Sequence, residues 1–225
     1  VFHNFTLLHD DIMDNSPIRR NMATVHNKWN NNTAILSGDA MMIVASQVML
    51  EVPDRCLSQV QRLYLQTALE VCEGQQFDMD FETSQVVGTQ EYLEMIRLKT
   101  AVLLAASMKI GAIVGGASAE DAENCYLFGQ ELGLAFQLQD DFLDVFGNEK
   151  EFGKSIGNDI VTNKKTFLLI SCLERCNTEQ RKQLVYWLTA ETFERENKIK
   201  AVKSLFETLG IAALDKKKME FYFHN

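Results

Sequence analysis

Proline is nearly absent from this chain of 225 residues and occurs only at Pro17 and Pro53. Because proline interrupts helices, its scarcity permits long uninterrupted ones. The segments around the two prolines are rich in Leu, Met, Ala, Gln and Glu, which favour helices, and clear strand alternation is absent. The sequence therefore predicts an all-α fold.

Apolar periodicity gives the approximate positions of the helices. The predicted helices span residues 1–15, 34–51, 55–82, 90–114, 119–147, 163–176, 178–190, 193–209 and 215–223. Residues 41–44 and 103–106 are apolar on more than one helical face, so their helices are expected at the centre of a bundle. The stretch 147–159 has three glycines and no periodicity, which predicts a loop after a long helix.

Composition limits the possible partners and the location. With 46% hydrophobic residues the chain is long enough to bury the core of one domain. The net charge of -9 argues against a nucleic-acid partner, because phosphate backbones require a basic surface. We find no signal peptide and no 18-residue apolar run free of charge, so we expect no stable membrane insertion and a cytoplasmic location.

The cysteines and the first residues add two further expectations. The five cysteines form no CxxC pair, which predicts reduced thiols rather than disulfides or a zinc site. They are Cys56, Cys72, Cys125, Cys172 and Cys176. Val1 lies inside an apolar-periodic segment without an initiator Met or a helix-start signal, so we expect one domain over residues 1–225 with a further segment before it.

The DDxxD pattern occurs twice, at residues 10–14 and 140–144, and each copy follows an apolar helical stretch. At about 3.6 residues per turn, the first and last aspartates of each copy lie on one helix face. One such cluster is equally consistent with solvated surface, but two in apolar surroundings would be costly without a cation. Carboxylate oxygens suit Mg²⁺, so the pattern predicts a magnesium site with a diphosphate held between the clusters. His9, beside the first cluster, is expected to pack rather than to catalyse.

Residues 7–20, with their trailing arginine pair, resemble the first aspartate-rich motif of the trans-isoprenyl diphosphate synthases, and residues 136–144 resemble the second. Further matches follow in family order at residues 38–39, 74–78, 99–100, 153–154, 157–160 and 163–166. The resemblance covers about residues 1–170. It implies a single bundle of long, mostly antiparallel helices around a central cavity, the isoprenoid synthase type I fold.

The resemblance also implies an activity, the condensation of isopentenyl diphosphate with an allylic diphosphate through a carbocation. Three magnesium ions would be bound by Asp10, Asp14 and Asp140, supported by Asp11, Asp141 and Asp144. The implied ligands of the allylic diphosphate are Arg19, Lys99, Lys154 and Lys164, with Lys165 as an alternative to Lys164, while Arg20 binds isopentenyl diphosphate and Thr100 and Gln137 face the carbocation. Taken singly, each basic residue would be expected as a solvated partner of a nearby carboxylate.

Product length in this family depends on side chains below the first aspartate cluster. Phe5 lies five residues before Asp10, about one helical turn beneath it, and would stop a growing prenyl tail after a few isoprene units. This favours C15 or C20 products. The alternative is that Phe5 only packs into the bundle.

Other functions share parts of this pattern. A class I terpene cyclase has one DDxxD motif, but its second metal motif is usually of an Asn/Ser/Glu type, which residues 140–144 do not match. A non-catalytic subunit of a prenyl synthase would tend to lose aspartates or the Arg19–Arg20 pair, and a magnesium-binding scaffold would leave Lys99 and Gln137 without a role. The resemblance further implies a homodimer, and the loop 147–159 is the candidate lid that brings Lys154 to the diphosphate.

Overall fold

Helices form nearly every element in the computed structural model, which describes residues 1–84, 86–148 and 156–224. The chain divides into two compact units, Val1–Tyr64 and Leu65–Asn225, each described by itself below. The expected single domain stays a prediction. Residues 149–155, which include most of the predicted lid with Lys154, lie outside the described residues.

The first unit contains α1 (Phe2–Met13), β1 (Ile18–Arg19), β2 (Met22–Ala23), α2 (Val25–Lys28), α3 (Asn31–Val48), a 3₁₀ turn (Met49–Glu51) and the start of α4 (Asp54–Thr83). The strands pair antiparallel, with Ile18 opposite Ala23 and Arg19 opposite Met22. Helix α3 packs against α1 and α2. Asn30 fixes the start of α3, because its side chain accepts a hydrogen bond from the Thr33 backbone N–H at 2.8 Å.

The second unit contains the rest of α4, then α5 (Thr89–Ile96), a π-helical segment (Arg97–Ala101), α6 (Val102–Gly115), α7 (Ala119–Phe146), α8 (Asn158–Val161), α9 (Phe167–Arg175), α10 (Thr178–Thr189), α11 (Arg195–Thr208) and α12 (Ile211–His224). Ser118 caps α7 by accepting from the Asp121 backbone N–H at 3.0 Å. Helix α6 ends at Gly116, whose φ of +83° is a conformation that glycine adopts without strain.

Each predicted helix corresponds to helical structure, which confirms the all-α prediction. Three features were not predicted: the short hairpin, the single-turn helices α2 and α8, and the π-helical interruption of the predicted helix 90–114. Residues 158–159, placed in the predicted loop 147–159, begin α8 instead.

Two apolar clusters form the core of the second unit. The first includes Phe81, Tyr92, Leu138, Phe167 and Ile170, and the second includes Val145, Leu168, Leu184, Val202 and Phe206. Helix α9 contributes side chains to both clusters, so it is buried on more than one side. The turn before α9 is therefore attached to one of the best-packed helices of the unit.

Two stretches, Asn31–Glu51 and Thr89–Gly115, are long and apolar enough to cross a membrane by length and composition, with a mean hydropathy of 1.5 each. Only 17% and 33% of their most apolar windows are buried. The second stretch includes Arg97 and Lys99, which form ion pairs with Glu94 and Asp78. Length and composition alone do not separate a membrane span from an apolar helix of a globular protein.

Candidate active site

The first aspartate cluster lies at the C-terminal end of α1 and is held by Arg19 of the hairpin. The Arg19 Nε donates to both oxygens of Asp11, at 2.8 and 2.9 Å, and its Nη2 donates to Oδ2 of Asp10 at 3.2 Å. Asp11 is buried, and this burial raises the pKa of its carboxyl group despite the neighbouring guanidinium. Asp14 is exposed and is the C-cap residue that follows α1. In this arrangement Arg19 orients Asp10 and Asp11.

The hairpin turn places Arg20 in a left-handed conformation. Arg20 and Asn21 have φ of +52° and +62°, as in the two-residue turns that join antiparallel strands. Such angles are unusual for arginine and store strain, a feature that clusters at functional sites. The positive charges of Arg20 and Arg19 also reach His3, because they add to its partial desolvation in lowering the pKa of its imidazole. The hairpin therefore concentrates positive charge beside α1.

Packing fixes the middle of α1. The Phe5 side chain is buried and its ring makes edge contacts with Phe2 and His9, at centroid distances of 5.2 Å each. His9 Nε2 lies 3.2 Å from the Ile35 carbonyl oxygen, and a Cβ atom at Gly38 would overlap the imidazole ring. The expectation that His9 packs is confirmed. Phe5 packs into the helices around it, which agrees with the alternative that it is only a packing residue. Its role in product length stays a prediction.

In the second cluster, Asp141 is the end of a buried hydrogen-bond network. Gln137 Nε2 donates to its Oδ1 at 3.0 Å, and the Tyr92 hydroxyl donates to its Oδ2 at 2.6 Å. The Thr100 hydroxyl donates to Gln137 Oε1 at 3.0 Å, which fixes the orientation of that amide. Burial raises the pKa of Asp141, while the charge of Lys164 and the two donated hydrogen bonds oppose this rise. The predicted residues Thr100, Gln137 and Asp141 thus form one connected group.

Asp144 joins the end of α7 to α8. Its Oδ2 accepts from the Asp159 backbone N–H at 3.0 Å, and its carbonyl oxygen accepts from the Gly157 N–H at 2.6 Å. Burial raises the pKa of Asp144, and burial together with the charges of Asp141 and Asp144 raises the pKa of Asp159 to about 7. The charge of Lys164 opposes both shifts. This end of α7 therefore carries crowded carboxylates that a cation would stabilise.

Lys99 lies on the π-helical segment, where α4 passes very close. Its Nζ donates to Asp78 Oδ2 at 2.6 Å. Gly74 permits this approach, because a Cβ atom there would overlap the backbone of Leu98 and Lys99. π-helical turns are rare and are often found at functional sites. Lys99 and Thr100 are consecutive on this turn, so it sets the direction of both side chains.

The chemistry of these side chains fits magnesium. Asp140 and Asp144 lie one turn apart on α7, and the negative charge of Asp140 contributes to the raised pKa of Asp144. In the described ranges, no three His, Cys, Asp or Glu side chains converge as a closed metal cage. Mg²⁺ characteristically takes one or two carboxylates and completes its shell with water and phosphate, so open carboxylate pairs suit it. Among the described residues the five thiols are free, and their redox state stays a prediction.

Comparison with known proteins decides the family. The sequence profile described as polyprenyl synthetase matches residues 1–206. The chain belongs to the polyprenyl synthetase family. This confirms the predicted resemblance to the trans-isoprenyl diphosphate synthases and extends it beyond residue 170.

Relatives of this chain include two archaeal enzymes. The chain is 47% identical over 178 residues to a geranylgeranyl diphosphate synthase of Methanosarcina mazei, covering 78% of this chain and 55% of that protein. It is 37% identical over 213 residues to a short chain isoprenyl diphosphate synthase of Methanocaldococcus jannaschii, covering 94% of this chain and 65% of that protein. The chain thus spans less than two thirds of the length of these relatives.

Solved structures of polyprenyl synthetases share the fold. A geranylgeranyl pyrophosphate synthase matches with a TM-score of 0.93 and 45% identity over 98% of this chain and 68% of that chain. A geranylgeranyl pyrophosphate synthetase from Pyrococcus horikoshii matches with a TM-score of 0.91 and 33% identity over 98% of this chain and 67% of that chain. The predicted isoprenoid synthase type I fold is confirmed.

Sequence reasoning missed several polar residues of this polyprenyl synthetase chain. Tyr92, Asp159 and Asp78 contact predicted site residues, yet none was predicted as a site residue. Asp78 and Asp159 lie inside the matched motifs 74–78 and 157–160, which was a usable signal. His3 lies seven residues before Asp10, about two helical turns away on the same face of α1. This spacing could have indicated that His3 lies on the side of the helix that carries the aspartates. Tyr92 carried none, because it lies 49 residues from Asp141 in the chain.

Proposed function

We propose that this chain is a magnesium-dependent short-chain prenyltransferase, which condenses isopentenyl diphosphate with an allylic diphosphate to give a C15 or C20 prenyl diphosphate. The observation that carries the proposal is the crowded carboxylate group at the end of α7. Burial raises the pKa of Asp141, Asp144 and Asp159, and the positive charge of Lys164 opposes each rise. Such a group is suited to metal cations that bring a diphosphate with them.

Both aspartate clusters contribute magnesium ligands in this proposal. Asp10 and Asp14 of α1 and Asp140 and Asp144 of α7 have the i, i+4 spacing that places two carboxylates on one helix face. Asp11 and Asp141 are buried, and their oxygens accept hydrogen bonds from neighbouring side chains, so they act as supports. Magnesium held by these carboxylates would neutralise charge on the departing diphosphate and so would lower the barrier to carbon–oxygen cleavage. The number of ions, three, belongs to the same proposal.

The basic residues bind the two diphosphates. Arg19, Lys99 and Lys164 are assigned to the allylic diphosphate, and Lys154 completes this set. Arg19 and Lys99 already pair with Asp11 and Asp78 at 2.8 and 2.6 Å, so these carboxylates hold the cations in position for a ligand. Arg20 is assigned to isopentenyl diphosphate, and the strained turn that presents it supports this role.

Two neutral groups face the reacting carbons. Thr100 donates to Gln137, and Gln137 donates to Asp141, so both dipoles are fixed before a substrate binds. Preorganised dipoles stabilise charge that develops in the transition state more effectively than mobile ones. We assign Thr100 and Gln137 to the allylic carbocation, and the released diphosphate accepts the proton that completes the reaction.

Product length, assembly and location belong to the same proposal. The buried ring of Phe5 supports a short product, and among the predicted lengths the names of the relatives from Methanosarcina mazei and Sulfolobus acidocaldarius, geranylgeranyl diphosphate synthases, favour C20. A homodimer and a cytoplasmic location complete it.

The deciding experiment incubates the purified chain with labelled isopentenyl diphosphate, magnesium and allylic starters of C5, C10 or C15. Chromatography of the dephosphorylated products should give discrete C15 or C20 alcohols, and Asp10→Ala or Asp140→Ala should abolish them. A cyclic hydrocarbon formed from an allylic substrate alone would reassign the chain to terpene cyclisation. Complete inactivity of the folded chain would favour a non-catalytic subunit.

A further inference from the structure

A lysine on α11 is almost completely buried although no predicted site residue lies on that helix. Lys198 is 1% exposed. Its Nζ donates to the Val161 carbonyl oxygen at 3.1 Å and to Asn163 Oδ1 at 2.7 Å, and it lies 4.3 Å from the centre of the Phe193 ring. Lysine is rarely buried unless its charge is paired, and this burial lowers the pKa of Lys198. The free energy that this burial costs must be offset by the contacts that the ammonium group makes.

The partner of Lys198 is the turn that follows α8. Asn163 has a φ of +59°, a left-handed conformation that asparagine tolerates better than most residues. Its amide is held on both sides, because Oδ1 accepts from Lys198 and Nδ2 donates to the Leu188 carbonyl oxygen at 3.0 Å. This fixed turn comes directly before Lys164.

The same turn is attached at its other end to the second aspartate cluster. The Lys164 backbone N–H donates to the Asp159 carbonyl oxygen at 2.9 Å, and the Asp159 N–H donates to Asp144 Oδ2 at 3.0 Å. Thr166 then caps α9, which is buried between the two core clusters. The segment 157–166 is therefore held at two points, at Asp159 by Asp144 and at Val161 and Asn163 by Lys198.

We propose that Lys198 is a positioning residue, which fixes the Val161–Asn163 turn so that Lys164 and Asp159 are in place before a magnesium diphosphate binds. The proposal rests on the proposed function, because it takes the end of α7 as the diphosphate site. Fixing the segment in advance removes an ordering cost that binding would otherwise carry. A lysine that only filled space in the core would contribute to folding but not to diphosphate affinity.

The test compares Lys198→Met with wild type. Methionine keeps most of the apolar stem and removes the ammonium group, and Lys200→Met on the same helix, where the lysine is exposed, is the matched control. Calorimetry with inorganic pyrophosphate and magnesium should show at least about 10-fold weaker binding for Lys198→Met and wild-type binding for Lys200→Met. Amide exchange should accelerate in residues 158–164 but not in α9. Wild-type pyrophosphate affinity in folded Lys198→Met, or faster exchange spread evenly over α9 as well, would overturn the proposal.

A second variant covers the case in which Lys198→Met does not fold. Asn163→Gly keeps the left-handed turn and removes the amide that Lys198 contacts. It should weaken pyrophosphate binding by itself. Where Lys198→Met does fold, the double variant should lose less than the sum of the two single losses, because both changes remove the Lys198–Asn163 contact. Unchanged affinity in Asn163→Gly, or additive losses in the double variant, would contradict the proposal.

The two proposals fail in different ways. In one outcome, the wild type binds magnesium pyrophosphate, Lys198→Met binds it more weakly, and neither protein makes a prenyl product. This result would disprove the prenyltransferase function and support the positioning role. Prenyl synthesis with unchanged kcat, KM and pyrophosphate affinity in Lys198→Met would leave the function intact and disprove the positioning role. A wild-type chain that binds no magnesium pyrophosphate would overturn both.

Discussion

Asp215 is a carboxyl group in an environment that opposes its charge. It has no exposed surface, and among the described residues neither of its oxygens has a hydrogen-bond partner. Burial, together with the nearby charge of Asp141, raises the pKa of Asp215 to about 8. An unpaired buried carboxylate is expensive, so this group remains largely neutral at pH 7 and its ionisation opposes folding.

The pH dependence of stability tests this account of Asp215. Its pKa is about 8 when folded and close to the ordinary 3.8 when unfolded, so the folded state binds the extra proton between these values. Stability should therefore fall as the pH rises from about 4 to about 8. Asp215→Asn, which cannot ionise, should match wild type only below about pH 4 and gain stability over it as the pH rises toward 8, where the difference levels off. Thermal unfolding at several pH values measures this, with exposed Glu220→Gln on the same helix as control. Equal gains at all pH values would contradict it.

Tyr92 supports the charged form of Asp141 with a 2.6 Å hydrogen bond. Tyr92→Phe keeps the buried ring in its core cluster and removes only the hydroxyl group. Because outer residues that support a metal site typically affect metal affinity or activity by about 10-fold to 100-fold when they are changed, we expect a loss of that size in magnesium activation. Titration of the prenyltransferase rate with magnesium measures it. Tyr186→Phe, at an exposed tyrosine, should match wild type, and unchanged magnesium dependence in Tyr92→Phe would refute the role.

At the scale of helices and turns, close backbone approach sets the site. Gly74 of α4 meets the π-helical segment, and Gly133 and Gly129 of α7 meet Ala101 and Ala105 in the same way. These glycines replace side-chain packing with backbone contact. They therefore control the direction in which Lys99 and Thr100 leave the π-helical turn.

Gly74→Ala tests this arrangement against a matched glycine. The added Cβ would overlap the backbone of Lys99, so we expect a loss of about 1–3 kcal/mol of unfolding free energy together with weaker allylic substrate binding. Gly111 lies in α6 with no atom within 4 Å of such a Cβ, so Gly111→Ala should be neutral or stabilise by up to about 1 kcal/mol. Chemical denaturation and the KM of the allylic substrate measure both effects. A Gly74→Ala variant as stable and active as wild type would disprove the close approach.

Helices and aspartate clusters were predictable because their signals are local. Composition and periodicity located the long helices, and the DDxxD spacing is readable within five residues. The π-helical turn was not predictable, because it depends on α4 packing against Lys99 rather than on the residues of the turn alone. The contacts of Tyr92 with Asp141 and of Lys198 with Asn163 join residues 49 and 35 positions apart, and no periodic pattern predicts such pairs.

At the scale of the whole molecule, α3 leaves much apolar surface in contact with solvent. Leu36, Ile43 and Val48 are 68%, 57% and 47% exposed, and the stretch that contains them has the hydropathy of a membrane span. Several large apolar side chains exposed on one helix are a candidate interface with protein or membrane. The proposed homodimer would cover it with a second copy of the chain.

Replacing both Leu36 and Ile43 by glutamate tests whether α3 contacts a second copy of the chain or a membrane. Because buried charges are costly in an apolar interface, the double variant should sediment as a monomer at micromolar concentration, whereas the wild type should sediment as a dimer. Gln183→Glu, at an exposed position of α10, adds charge elsewhere and should remain dimeric. Wild-type protein that sediments as a monomer in buffer but floats with phospholipid vesicles would refute the dimer and assign α3 to the membrane. A double variant that remains dimeric would move the dimer interface away from α3.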